Sequence, residues 1–237
     1  MLNPSVSEDE ELEVVAWGTP VLAVPAERPV ALPASFYQRR GKRLLDITLG
    51  TALFIGLLPL MVLAGLAVLL FSGWPILYRT QRLKRDGQPF GMLKLRTMAN
   101  GAHERLGDLL REDPVLAAEY EARLKLENDP RRTRIGVLLR RCSIDELPQF
   151  WHVITGDMTL VGPRPYAVEE RPLLAPHPDI LEMPPAITGP WQTRGRNNLP
   201  PNARLSSDVA YVRDVSFRRD VGYLLATVRC LLRPNGS

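Results

Sequence analysis

The feature that most constrains the fold of this chain is a long apolar stretch near its amino end. From Leu44 to Phe71 every residue is apolar except Asp46, two threonines, several glycines and Pro59. At about 1.5 Å per residue, these roughly 28 residues would form a helix of about 42 Å, whereas the hydrocarbon core of a bilayer is about 30 Å thick. The stretch therefore predicts a membrane helix.

Two further features bear on whether this helix crosses the membrane. Pro59 lies near its middle, where a proline removes a backbone donor and bends a helix. Both flanks are basic, and basic residues favour the cytoplasmic side. They are Arg39, Arg40, Lys42 and Arg43 before the stretch, and Arg79, Arg82, Lys84 and Arg85 after it. A re-entrant helix hairpin broken at Pro59 would keep both flanks in the cytoplasm, and a long, tilted, kinked span is the alternative.

Composition changes on both sides of this helix and indicates three segments. Residues 1–35 combine acidic residues with prolines and lack a sustained period, which is typical of a disordered tail. The membrane helix occupies residues 36–73, and residues 74–233 have the hydropathy of a soluble domain. The chain has only two cysteines, and no basic start leads directly into an apolar stretch. We therefore expect no disulfide framework, no cleavable signal peptide and a cytoplasmic catalytic domain.

The first half of the soluble segment contains signals for short strands and a helix. Residues 75–78 and 90–95 have the composition of strands and flank a turn signal at Gly87. Residues 102–126 are helical in pattern, with a possible break at Pro114. The fold predicted from these signals is α+β.

The second half of the soluble segment is mainly helical in pattern. Residues 135–141 and 143–154 follow a helical period, and Ser143 and Glu146 have the spacing of a capping box. Residues 208–232 form a last helical stretch with an apolar stripe. That stripe is either a core face or a face that lies in the membrane interface.

Reactive side chains are densest between Arg140 and Gln149, where Asp145 and Glu146 are adjacent. The pair could supply a carboxylate nucleophile and a metal or proton partner. Arg140 or Arg141, about one helical turn earlier, could offset the repulsion of an approaching phosphate. The alternative is structural: a helix start whose acidic residues complement the helix dipole, with arginines in surface ion pairs.

Other basic residues flank this cluster along the chain. Arg164 lies between Pro163 and Pro165 in a stiff loop, and arginine forms bidentate bonds to phosphate oxygens. Lys94 and Arg96 alternate as they would in a strand and so share one face. Three groups of basic residues around one carboxylate pair favour a pyrophosphate substrate. Binding of anionic lipid headgroups is the alternative.

Residues 39 to about 230 resemble the bacterial sugar transferase family, the monotopic phosphoglycosyl transferases that act on polyprenyl phosphates, and especially the members that initiate exopolysaccharide synthesis. The motifs that carry the resemblance are KRLLD from Lys42, KLRTM from Lys94, the stretch from Arg134 to Pro165, and ITGPWQ from Ile187 followed by Gly195-Arg196-Asn197. The chain departs from the family pattern at Lys84, Leu95, Arg218 and Arg219, and none of these departures removes a predicted catalytic group.

The resemblance implies a re-entrant membrane helix, a small cytoplasmic catalytic domain with interfacial helices, Mg²⁺ as cofactor and covalent catalysis. Asp145 stands at the family's nucleophile position and would contact Mg²⁺, and Glu146 is its partner in a dyad. The anion-binding positions of the family fall on Lys94, Arg96, Arg140 and Arg164. Arg196 is a further candidate for binding the nucleotide or the sugar.

The implied reaction moves a hexose 1-phosphate from a UDP-hexose to undecaprenyl phosphate at the bacterial inner membrane and releases UMP. Galactose and glucose both stay open as the hexose. Membrane lipid is an implied partner, and a homodimer is compatible with the exopolysaccharide type. An inactive membrane adaptor is the second hypothesis, and the intact Asp145, Glu146 and Arg164 argue against it. The net charge of +4 would suit nucleic acid, but no binding module is recognisable, so we expect no nucleic-acid partner.

Overall fold

A computed structural model of the chain describes residues 35–102, 104–123, 126, 128–193 and 201–232, all in the unit that begins at Pro33. These residues are mostly helical with a few short strands, as the sequence predicts. In chain order the elements are α1 (Lys42–Ser72), β1 (Leu77–Leu83), β2 (Pro89–Leu95), α2 (Glu104–Glu112), α3 (Pro114–Arg123), α4 (Arg134–Arg141), α5 (Phe150–Thr155), β3 (Thr159–Val161), α6 (Arg171–Leu174), β4 (Ala186–Thr188), α7 (Pro190–Thr193), α8 (Pro201–Val212) and α9 (Phe217–Leu232).

The strands form two small sheets. β1 and β2 pair antiparallel, with Leu77 opposite Leu95 and Leu83 opposite Pro89. Their connection contains the turn predicted at Gly87, which has a φ of 71°. β3 and β4 pair parallel, with Val161 opposite Thr188. The first strand extends further along the chain than its composition predicts, because its later residues pair with β2.

The apolar stretch forms a single helix, α1, that continues through Pro59. Its first half packs Leu53 and Leu57 against a core built on Phe150, Val153, Met158 and Tyr211. Its second half packs Ala64 and Val68 against Leu95 and Leu139. Many other large apolar side chains of α1 are exposed, among them Ile55, Val62, Leu63, Leu66, Leu70 and Phe71. Of the described residues, only Tyr37–Ser72 is a helix long and apolar enough to cross a membrane. The hairpin at Pro59 stays a prediction.

The amino end of α1 is joined to the carboxyl-terminal helix by a buried charge network. Lys42 Nζ lies 2.7 Å from Asp220 Oδ2 of α9 and donates to the carbonyl oxygen of Val161 at the same distance. The hydroxyls of Tyr37 and Tyr211 also donate to the Asp220 carboxylate, each at 2.6 Å. The buried charge of Lys42 is therefore paired and hydrogen-bonded, as burial requires.

Two predictions about where helices end or begin have different outcomes in the structure. The break expected at Pro114 is confirmed, because α2 ends at Glu112 and α3 begins at Pro114. The prediction of a capping box at Ser143 and Glu146 is wrong. Ser143 has a left-handed backbone with a φ of 56° and makes no side-chain cap, and a 3-10 helix, Ile144–Gln149, follows it. Pro148 lacks the N–H that a regular α-helix would need there.

The last helical stretch has the predicted core face, and its position in the membrane interface stays a prediction. It is divided into α8 and α9. In α9, Tyr223 and Leu224 pack against the main core, whereas Leu225 and Val228 are exposed. The helix thus has a core face and an outward apolar face.

Candidate active site

Asp145 lies at the end of a sharp change in chain direction. Helix α4 ends at Arg141, Ser143 adopts its left-handed conformation, and the following 3-10 helix turns the Asp145 side chain inward. Only 5% of Asp145 is exposed. The local sequence thus places a carboxylate in a buried position at the edge of β2, which packs against this turn.

The charges around Asp145 act in opposite directions on its carboxyl group. Burial raises the pKa of Asp145, and the neighbouring Glu146 raises it further. Lys94 and Arg140 lower this pKa in part. The carboxylate therefore has cations within electrostatic range but a net preference for the protonated form relative to a free aspartate.

Lys94 reaches the carboxylate pair from β2. Its Nζ lies 2.7 Å from Glu146 Oε1, and both side chains are partly exposed. Strand β2 directs Lys94 toward the turn that carries the pair. The structure thus brings together three of the predicted site residues, Lys94, Asp145 and Glu146.

Arg140 is positioned through Thr97. Its Nε donates to Thr97 Oγ1 at 2.8 Å. Helix α4 approaches the Thr97 backbone so closely that a Cβ on Gly136 would overlap the Thr97 carbonyl. Glycine at position 136 therefore allows the approach that places Arg140 near Asp145.

Arg96 binds backbone carbonyls at the end of α1 rather than the carboxylate pair. Its guanidinium donates to the carbonyl oxygens of Ser72 and Gly73, at 2.5 and 2.6 Å, and to the Asn100 side chain. These bonds satisfy carbonyls at the end of α1. Strand β2 ends at Leu95, so Arg96 does not continue the alternation that would place it beside Lys94. A phosphate-binding role for Arg96 stays a prediction.

Arg164 is held in the stiff loop that the sequence predicts. Its backbone N–H donates to Asp208 Oδ2 at 3.0 Å, and its guanidinium pairs with Glu170. The guanidinium carbon also lies 4.3 Å from the centroid of the Tyr166 ring. Backbone, charge and ring contacts together fix this side chain.

Arg82 is a further candidate for the site, which the sequence predicts only as part of a basic flank. Residue 82 forms an antiparallel bridge with Ala167, which places it beside the Arg164 loop. Burial lowers the pKa of Arg82, and the charge of Arg164 lowers it further. The charges of Glu170 and Glu146 raise this pKa in part. The charges of Glu146 and Arg164 thus both act on the Arg82 guanidinium.

The remaining predicted groups concern the nucleotide and the metal. Arg196 lies outside the described residues. Among the described residues, no three His, Cys, Asp or Glu side chains cluster as a metal site. Magnesium is commonly held by one or two carboxylates plus substrate phosphates rather than by an all-protein cage. The Asp145 and Glu146 carboxylates fit that donor set.

An apolar groove lies between the end of α1 and helix α4. It has a volume of about 410 Å³ and is lined by Phe71, Arg134, Ile135 and Leu138. Phe71 and Leu138 are largely exposed, so the groove continues the apolar surface of α1. The same helix that lines the groove carries Arg140 near its other end.

Comparison with known proteins assigns the chain to a family. Residues 37–234 match the family model described as bacterial sugar transferase. The chain belongs to the bacterial sugar transferase family. All candidate site residues named above lie within the matched range.

Several relatives of the chain have descriptive names. The UDP-galactose-lipid carrier transferase of Erwinia amylovora is 40% identical over 83% of this chain and 41% of its own length. The exopolysaccharide production protein ExoY of Rhizobium meliloti is 34% identical over 83% of this chain and 87% of its own length. The UDP-glucose:undecaprenyl-phosphate glucose-1-phosphate transferase of Caulobacter vibrioides is 36% identical, over 83% and 71% respectively. The chain spans less than half the length of some relatives, such as the Erwinia protein.

Proposed function

We propose that this chain transfers a hexose 1-phosphate from a UDP-hexose to undecaprenyl phosphate, as an initiating step of polysaccharide synthesis. The observation that carries the proposal is the buried Asp145 carboxylate, adjacent to Glu146, with Lys94 and Arg140 acting on its charge. A buried carboxylate with nearby cations suits attack on a phosphate better than it suits a surface ion pair. The names of the relatives support the same class of donor and acceptor.

The proposed reaction has two displacements at phosphorus. An Asp145 carboxylate oxygen attacks the sugar-bearing phosphate of the donor, a new O–P bond forms, and the bond to the nucleotide phosphate breaks to release UMP. A phosphate oxygen of undecaprenyl phosphate then attacks the same phosphorus. This step breaks the aspartyl O–P bond, restores the carboxylate and yields undecaprenyl-diphosphate-hexose.

Charge neutralisation is the main requirement of the first displacement, because the nucleophile and the diphosphate are both anionic. The charges of Lys94 and Arg140 act on the attacking carboxylate, and the charge of Glu146 acts on Arg82. Bound Mg²⁺ would neutralise phosphate charge beside Asp145 and Glu146. The partial burial of the pair would limit hydrolysis of the covalent intermediate.

The acceptor is a lipid, and the arrangement of α1 suits its delivery. Both halves of α1 pack on the same catalytic unit. A helix that crossed a bilayer would separate its two ends by the full membrane thickness. We therefore propose that α1 is re-entrant, with the catalytic domain at the cytoplasmic face of the inner membrane. The groove lined by Phe71, Ile135 and Leu138 would admit the polyprenyl chain beside Arg140.

The decisive experiment measures UMP release from UDP-galactose and UDP-glucose by the protein in membranes with Mg²⁺ and undecaprenyl phosphate. Asp145→Asn should abolish release, because an amide cannot form the acyl phosphate intermediate. Asp86→Asn is the matched control, since Asp86 is exposed and asparagine tolerates its positive φ. Release at an unchanged rate in the Asp145 variant would reject the nucleophile. An inactive adaptor would give no release from either donor in the unaltered protein.

A further inference from the structure

Among the described residues, strand β2 has one edge that pairs with no other strand, because its sheet consists of β1 and β2 alone. Backbone groups at such an edge need other partners. The N–H of Leu93 at this edge donates to Nε2 of His152 in α5 at 3.1 Å. A histidine side chain thus does at one point of the edge what a third strand would do.

This bond joins the same two segments that the ion pair of the candidate active site joins. Lys94 follows Leu93 in β2, and its Nζ lies 2.7 Å from Glu146 Oε1. Glu146 belongs to the 3-10 helix Ile144–Gln149, which leads directly into α5 and so into His152. Strand and turn are therefore held together at two points. The bond from Leu93 fixes the backbone from which Lys94 reaches the carboxylate pair.

The His152 ring is held in place by its surroundings. Only 8% of the residue is exposed, and the ring of Phe90 lies edge-on to it, with the ring centroids 5.3 Å apart. The backbone carbonyl of His152 accepts the N–H groups of Gly156 and Met158, at 3.0 and 2.9 Å. The imidazole therefore cannot turn away from Leu93 without losing buried contacts.

The bond to Leu93 also determines where the proton of the ring lies. A backbone N–H can only donate, so Nε2 accepts with its lone pair and the proton of the neutral ring lies on Nδ1. Nδ1 lies 3.6 Å from Asp157 Oδ2, which is too long for a hydrogen bond, and the other oxygen of Asp157 lies 3.8 Å from Lys84 Nζ. Burial lowers the pKa of His152, and the charge of Arg79 lowers it further, whereas the Asp157 carboxylate raises it in part. The surroundings thus favour the neutral ring that the bond requires.

We infer that His152 is a positioning residue of the transfer reaction, which as a neutral imidazole holds β2 so that Lys94 meets the Asp145–Glu146 pair. This inference rests on the proposed function. A second proton on the ring would place an N–H at Nε2 against the N–H of Leu93, and repulsion would replace the bond. His152 acts through Lys94 and makes no contact with the donor or the acceptor.

The first test observes the ring directly and needs no turnover. The full chain, with its histidines labelled for nitrogen NMR, is placed in nanodiscs, and the signals that disappear in His152→Gln belong to His152. At pH 7 the nitrogen shifts should show an unprotonated Nε2 and a protonated Nδ1. The opposite tautomer, or a charged ring at that pH, would overturn the inference whether or not the protein is active.

The pH dependence of UMP release supplies the second test. Glutamine carries an acceptor oxygen near the position of Nε2 and does not titrate, so His152→Gln should keep the bond at every pH. The ratio of its rate to the parent rate should rise as the pH falls below the ordinary histidine pKa of about 6.5, because the ionisation of Asp145 affects both proteins alike. His177→Gln is the control, since His177 is the second histidine among the described residues and lies between α6 and β4. Its ratio should stay constant, and a constant ratio for His152→Gln as well would refute the requirement for a neutral ring.

A double-mutant cycle shows whether His152 acts through Lys94. His152→Ala should lower the rate of UMP release roughly three- to tenfold, the effect of losing one hydrogen bond. In a Lys94→Ala background it should have little further effect, whereas equal losses in both backgrounds would overturn the inference. If the parent protein releases no UMP, the proposed function is wrong, and the ring spectrum still decides how His152 is bonded. Thermal unfolding of each variant identifies loss of folding, and the glutamine variant decides the matter if the alanine variant unfolds.

Discussion

The ammonium of Lys94 bonds to Glu146 Oε1 at 2.7 Å, while its charge also acts on the adjacent Asp145. Glu146 therefore has two opposing effects on the nucleophile. Its own negative charge raises the pKa of Asp145, and by holding Lys94 it keeps a cation where that pKa is lowered. The balance between these effects determines the pH at which Asp145 is ionised.

This balance predicts opposite shifts in the pH dependence of two variants. Asp145 attacks as a carboxylate, so activity falls as the pH drops through its pKa. Glu146→Gln removes the like charge and should move this acidic limb to lower pH, even though the maximal rate falls. Lys94→Ala removes the cation and should move the limb to higher pH. Rates of UMP release between pH 4 and 8 measure both shifts, and two limbs at the same pH would refute the coupling.

The close approach of α4 to Thr97 predicts a strong effect of a single methyl group. Gly136→Ala would drive a Cβ into the Thr97 carbonyl, so it should displace Arg140 and destabilise the fold by about 1–3 kcal/mol or more. UMP release and the unfolding midpoint in detergent check these effects. Gly107→Ala is the control, because nothing lies near its Cβ position in α2. It should preserve activity and stabilise the helix by about 0.5–1 kcal/mol.

Asp208 predicts a specific pH dependence of stability. Burial raises the pKa of Asp208 to about 6, above that of an aspartate in an unfolded chain. Ionisation therefore opposes folding, and the fold loses stability as the pH rises from about 4 through 6, by on the order of 3 kcal/mol. Asp208→Asn cannot ionise and should lack this component. Unfolding midpoints at pH 5 and 8 test it, with the exposed Asp214→Asn as the control; an equal pH dependence in all three proteins would contradict the assignment.

The packing of both halves of α1 on one catalytic unit predicts the result of cysteine labelling. The two variants, Ser35→Cys and Asp86→Cys, are each made in a Cys142→Ser, Cys230→Ser background. Residue 35 precedes α1 in the sequence and residue 86 follows it. A membrane-impermeant maleimide added to intact cells should label neither, and it should label both after lysis. Labelling of either position from outside would favour the tilted, spanning helix over a re-entrant one.

The predictions from sequence held best where they depended on local composition. The length and hydropathy of α1 and the break before Pro114 follow from residues within a few turns of each other. These features need no knowledge of which distant segments meet. The contact of Lys94 with Glu146 agrees with the expectation that a basic residue lies beside the carboxylate pair, whereas the roles of these residues stay predictions.

Features that depend on tertiary contacts cannot be predicted from local sequence. Arg82 becomes part of the site through its bridge to Ala167, which is far away along the chain. Arg96 lies one residue beyond the end of β2, so the alternation that would place it beside Lys94 stops just before it. Ser143 is of a residue type that favours helix caps, but its backbone is left-handed. Pro148, five residues further on, lacks the N–H that a regular α-helix would need.

The pairing of Lys42 with Asp220 also bears on how the molecule is made. Lys42 and Asp220 are separated by 178 residues along the chain, so the partner of this lysine does not exist until the residues of α9 have been synthesised. The amino end of α1 therefore makes its buried contacts later than it acquires its own helical structure. Until then the unpaired Lys42 ammonium favours contact with water or with lipid headgroups over burial.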